Sequence, residues 1–124
     1  MATTDKNTIG VTPKAQKILD QMSEDKAFAD QMDAAKFAMS IAIRRGAKVG
    51  EVNGAGTKWN VGSFDPNGDL RNLLPIIYPD LKTPYRGLES LIDSGLQIVA
   101  QDYLKGGKFD LATALKPAEA KKRK

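Results

Sequence analysis

Between Ala34 and Ile43 only Lys36 and Ser40 interrupt a run of apolar residues. On a helix such a run leaves almost no polar face, so the segment must be covered on most of its girth. Ala34, Ala35, Ala38 and Ala42 are small enough to let another helix approach closely. The chain must therefore find a cover for this helix, either in its own remainder or in a second copy. The reading favoured here is a second copy.

The segments before it are patterned as clearly. Ile9 and Val11 alternate with Thr8 and Gly10, which predicts a short strand with one apolar face. Thr12 is a good helix cap, and Pro13 suits a first helical position, where its missing N–H costs nothing. Ala15, Ile18, Leu19 and Met22 then fall at helical spacing on one side, opposite Lys14, Lys17, Asp20 and Gln21. A polar turn from Ser23 leads to a second helix expected over Lys26 to Arg45. Arg44 and Arg45 suit its last turn, and Gly46 the position that ends it.

Beyond Gly46 the signals are more scattered. Residues 47–56 are glycine-rich, with Asn53-Gly54 as the best turn signal. Thr57 to Phe64 is a second strand candidate, and Asp65-Pro66-Asn67-Gly68 a turn. Asp69 opens a short helix that Pro75 should kink or end. Thr83-Pro84 opens a long helix to about Lys105, in which Gly87 and Gly95 either weaken the helix or admit a close neighbour. Gly106-Gly107 stops it, and Asp110 caps a last turn through Leu115. The fold class expected is mainly α with short β segments. Residues 1–115 form a single α-rich domain: a strand-helix-helix unit over 9–46, then a strand plus helices over 57–115. Residues 1–8 read as a flexible arm and 116–124 as a flexible basic tail.

Composition narrows the chemistry. There is no cysteine and no histidine, which removes thiolate metal sites, disulfides, the commonest general base and any serine-histidine-aspartate triad. No metal or other cofactor is expected, and no pair of acidic residues stands out in an apolar setting for magnesium chemistry. No stretch is apolar enough to span a membrane, the N-terminal residues lack the apolar stretch of a secretory signal, and the absence of cysteine suits the reducing cytoplasm where the protein is expected. The net charge is +4, and residues 116–124 account for all of it, with Lys116, Lys121, Lys122, Arg123 and Lys124 against Glu119. The body is neutral on average, which is not the all-over basic surface of a non-specific DNA coat.

The order of strand, capped helix, short turn and second helix resembles that of ribbon-helix-helix DNA-binding proteins. The stretch Ile9-Gly-Val-Thr-Pro-Lys-Ala-Gln-Lys-Ile-Leu, with Phe28 and then Ala35-Lys-Phe-Ala-Met-Ser-Ile, is similar to the start of DndE-like proteins of bacterial DNA phosphorothioation systems. The likeness covers about a third of the chain. It implies an oligomer that binds duplex DNA, either alone or beside a larger DNA-processing enzyme. Pairing of two chains would bury Ile9, Val11, Ala35, Ala38, Met39 and Ala42 between them. The outward positions of the ribbon would be Lys6, Thr8 and Gly10, and a glycine there reads no base. Contact with the phosphate backbone is therefore the expectation.

The candidate DNA-binding residues are Lys6, Thr8, Lys14, Lys17, Arg44, Arg45, Lys121, Lys122, Arg123 and Lys124. Each has a plainer explanation. Lys14 and Lys17 suit a solvated helix face, Arg44 and Arg45 the negative end of a helix dipole, and the tail solubility. Trp59 could stack on a base, but a lone tryptophan in a half-apolar strand more often joins a core. Asp65, Asn67 and Asp69 have a calcium-loop spacing without the downstream glutamate, so a turn is expected. Gly54 to Lys58 lacks the spacing of a phosphate loop. The resulting expectation is a non-enzymatic duplex-binding protein. The alternative is an assembly subunit that oligomerises or docks on a larger enzyme without binding DNA strongly.

Overall fold

The computed structural model describes residues 5–24, 28–102, 104–105 and 108–109. The expected start of the second helix at Lys26, the turn from Asp110 and the basic tail lie outside the described residues. The elements are β1 (Thr8–Val11), α1 (Pro13–Glu24), α2 (Gln31–Arg44), β2 (Gly56–Asn60), α3 (Val61–Phe64), α4 (Asp69–Ile77), α5 (Pro84–Asp102), β3 (Leu104–Lys105) and β4 (Lys108–Phe109). The molecule is mainly helical, with two two-stranded antiparallel sheets.

Helix α1 follows its sequence pattern. Ala15, Ile18, Leu19 and Met22 are its buried residues. The Thr12 hydroxyl accepts the Ala15 N–H at 3.1 Å, satisfying one of the donors that a helix start leaves unpaired. Helix α2 runs from Gln31, and the described residues 28–30 before it are not helical. Asp30 sits in an extended conformation and its carboxylate accepts the Asp33 N–H, a stronger start signal than anything nearer Lys26. The far end is as expected, with Gly46 at φ 71° just past it.

The alanine-lined helix is covered by the chain itself. Ala34, Ala35, Ala38 and Ala42 are fully buried, and α5 packs along α2. Gly95 makes this possible: a Cβ there would stand 1.8 Å from the Ala38 carbonyl oxygen. Leu88, Leu91, Ile92, Leu96 and Val99 of α5 are also fully buried, each worth roughly 1.5–3 kcal/mol of burial. The expected dimer face is thus corrected. Ile9, Val11, Ala35, Ala38, Met39 and Ala42 all lie in the core of one chain, because α5 occupies the place assigned to a second copy.

Strand β1 also finds its partner at home. It pairs antiparallel with β2 of the same chain, Thr8 opposite Asn60 and Ile9 opposite Trp59. Gly10 then faces Thr57, so Lys58 is the extra residue of a bulge. The Gly10 N–H goes to the carboxylate of Glu89 on α5, at 2.7 Å. A side chain at Gly10 would meet the Gly56 carbonyl oxygen at 2.7 Å, so this position faces protein rather than an open groove.

The second strand is shorter than expected, because Val61–Phe64 turns into a helix. Residues 5–7 are tied down rather than loose. Asp5 accepts the N–H groups of Tyr85 and Arg86 at 2.9 and 3.1 Å, and so caps α5. Lys6 pairs with Glu89, and the Asn7 carbonyl accepts the Val61 N–H. Helix α4 was expected to kink or end at Pro75, but it continues through that residue and ends at Ile77. Helix α5 ends at Asp102, and Leu104–Lys105 begins a hairpin in place of the expected helical end. In that hairpin Leu104 pairs with Phe109 and Lys105 with Lys108. No helix among the described residues is long and apolar enough to cross a membrane.

Candidate nucleic-acid interface

The exposed face of α1 carries the candidate cations that remain available. Lys14 and Lys17 are three residues apart, one helical turn, and are exposed. Neither enters an ion pair or hydrogen bond among the described residues. They border a shallow depression with Ile18, Asp20, Gln21 and Ala100, where the end of α5 passes α1.

Asp20 is the negative group in this depression. Its Oδ1 accepts from both Gln16 Nε2 and Gln31 Nε2 at 2.9 Å, and Gln16 also donates to Gln31. The hydrogen bond from Gln31, then that from Gln16, hold its carboxyl below the usual carboxylate range against a smaller opposing effect of burial. The group ties α1 to the start of α2 and leaves Lys14 and Lys17 to solvent.

Three other candidates, Lys6, Thr8 and Arg45, are engaged within the protein. Lys6 is held against Glu89, which is only 5% exposed. Thr8 is half-buried within the strand pair. Arg45 Nη2 lies 2.9 Å from Asp102 Oδ2, joining the ends of α2 and α5. Arg44 is exposed in the last turn of α2. Lys121, Lys122, Arg123 and Lys124 are outside the described residues. Two further lysines rest on aromatic faces: Lys36 is 5.1 Å from the Phe64 ring and Lys58 5.3 Å from that of Trp59. Trp59 itself packs on Phe64, with ring centroids 5.2 Å apart, and joins the core as its half-apolar strand suggests.

The acidic turn is structural. Asp65 is 6% exposed and accepts the N–H groups of Leu70 and Arg71 and the Tyr85 hydroxyl, at 3.0, 3.1 and 2.9 Å. Burial pushes its carboxyl up, but those donors and the Arg71 charge outweigh burial, and the net effect lies below the usual range. Burial first, and the carboxylate second, raise the Tyr85 hydroxyl. Gly68, at φ 72°, carries the turn into α4, so Asp65 rather than Asp69 supplies the carboxylate at this helix start. Among the described residues no cluster of three acidic groups could hold a metal ion.

Sequence reasoning missed Asp5 and Glu89. Glu89 could have been found: it stands four residues after Tyr85 and three before Ile92, both buried, so it lies on the apolar stripe of α5. It also missed the apolar surface of α4, where Leu73, Ile76 and Ile77 are exposed, Ile76 to 75%. No family model matches the chain, and it matches no curated protein and no solved structure.

Proposed function

We propose that this chain is a non-enzymatic protein that binds duplex DNA mainly through phosphate contacts, in a DNA-modification, defence or regulatory setting. Lys14 and Lys17 on α1 make the contacts within the fold, Arg44 adds to them, and Lys121, Lys122, Arg123 and Lys124 extend them. The observation that carries the reading is the pair Lys14 and Lys17, exposed on one helix face with no carboxylate bound to either among the described residues. The N-terminal resemblance to DndE-like proteins points the same way. Lys6, Thr8 and Arg45 drop out of the proposed contact set because each is engaged within the protein. A neutral body with a few placed cations fits backbone contact without base readout.

Gel shift with duplex, nicked and single-stranded DNA, with and without residues 116–124, tests this. Binding to duplex that weakens steeply with salt and partly survives removal of the tail is expected. No shift of any DNA by the full chain at low salt overturns the proposal.

A second reading is favoured by a separate observation. Leu73, Ile76 and Ile77 leave apolar surface on α4, and such surface suits an assembly subunit that associates with copies of itself. It leads one to expect a discrete oligomer by light scattering and no DNA shift even with the tail intact.

A further inference from the structure

We propose that Asn53 is a site of spontaneous modification, where Asn53-Gly54 passes through a succinimide to aspartate and isoaspartate while the native fold holds Asn67-Gly68 unreacted. Of Asn7, Asn53, Asn60, Asn67 and Asn72, only Asn53 and Asn67 precede glycine. The reaction is an attack by the following backbone nitrogen on the asparagine side-chain carbonyl carbon. Glycine has no side chain to hinder that approach, so the two pairs have the same intrinsic chemistry. Their surroundings differ.

Asn53 and Gly54 are exposed, in the loop between α2 and β2. Neither the Asn53 side chain nor the Gly54 N–H is hydrogen-bonded among the described residues. A Cβ added to Gly54 would meet nothing within 4 Å, so the backbone there has room to move. Asn53 also lines a polar cavity of about 260 Å³ with Glu51, Arg86 and Glu89, which gives water access to it. At the second pair the backbone is held. Gly68 is buried, its N–H donates to the Asp65 carbonyl at 3.1 Å, and its own carbonyl accepts the Asn72 N–H at 3.0 Å. The Gly68 nitrogen must lose its proton to attack, and that hydrogen bond opposes the loss. The turn anchored by Asp65 must also open first.

In the first step a bond forms between the Gly54 nitrogen and the Asn53 side-chain carbonyl carbon. The amide C–N bond breaks, and its nitrogen leaves as ammonia with the Gly54 proton. Water then opens the succinimide at either carbonyl, to aspartate or isoaspartate. The net change is one water in and one ammonia out. Each event lowers the net charge of +4 by one and adds a carboxylate to a wall that already holds Glu51 and Glu89.

The test incubates the full chain at mildly alkaline pH, native and in urea, and follows both sites by peptide mapping with mass spectrometry. In the native chain conversion at Asn53 should outrun that at Asn67 roughly tenfold or more, since Asn67 reacts only from a locally opened state. In urea the two rates should become alike. Asn53→Gln, whose longer side chain closes the ring far more slowly, should remove the acidic species that ion exchange resolves from the native chain. Equal native rates at the two sites, or no conversion at Asn53 in the native chain, overturns the proposal.

Discussion

The Cβ that Gly95 lacks would lie 1.8 Å from the carbonyl oxygen of Ala38. At that distance the neighbour is backbone, which cannot swing aside as a side-chain tip can. Gly95→Ala must therefore push α2 and α5 apart along their shared seam. The helix-propensity gain of about 1 kcal/mol for replacing glycine is opposed by overpacking that typically costs 1–3 kcal/mol and here falls at or above the upper end, roughly 3 kcal/mol. Urea unfolding should show a clear net loss. Gly62→Ala, with nothing within 4 Å of its added carbon, should be neutral or slightly stabilising.

The seam also explains how much of the fold could be read from sequence. The stripe on α1, its Thr12 cap and the Gly46 stop are local signals, and each appears where its residues indicate. Burial of α2 was legible too, since its composition permits nothing else. What covers it was not. A cover is a long-range fact, and its one trace in the sequence is a glycine in mid-helix, which reads equally well as weakness or as close approach. The site divides in the same way. Exposure of Lys14 and Lys17 follows from helix period alone, whereas the engagement of Lys6 depends on Glu89, 83 residues away.

Asp65 gives the fold an acid limit. Its carboxyl titrates lower in the folded chain than in the unfolded one, where about 3.9 is usual. Its contribution is thus complete above pH 4 and is lost as pH falls from there through the folded value. Tyr85→Phe removes one of three donors to a buried carboxylate, which should cost roughly 1.5–3 kcal/mol at neutral pH. Asp65→Asn should flatten the stability profile below about pH 4. Denaturant midpoints measured at several pH values check both.

Lys6 is expected to matter for folding and not for DNA. Lys6→Met leaves the buried Glu89 with only the Gly10 N–H of the two donors it has among the described residues. Removing one member of such a pair strands a charge away from water, and a loss of about 2–3 kcal/mol is expected, below the full range for a wholly buried pair because Lys6 is partly exposed. Glu89→Gln, which removes the charge but keeps an acceptor, should cost less. Salt slopes for duplex binding should be the same in Lys6→Gln as in the parent chain.

Lys14 and Lys17 should behave in the opposite way. Both are exposed, and neither is paired among the described residues, so Lys14→Gln/Lys17→Gln should change stability by no more than about 0.5 kcal/mol. On duplex, two lost phosphate contacts should make the salt slope shallower by about 1.8. An unchanged slope in a variant that unfolds at the parent midpoint removes α1 from the contact surface.

Ile76 separates the two functional readings. It is 75% exposed, so Ile76→Asp removes little packing from the chain and should leave its unfolding midpoint nearly unchanged. The charge is placed beside Leu73 and Ile77 on the surface that an assembly would have to bury, where an unpaired carboxylate is costly. If copies associate through α4, light scattering of the parent chain gives a discrete multiple of 13.4 kDa and the variant gives a single chain. Duplex affinity of the variant then shows whether association matters for binding, since joined chains would present two α1 faces to one DNA and gain affinity without any new contact. A parent chain that runs as a monomer at all concentrations sinks the assembly reading and leaves the α1 face as the basis of function.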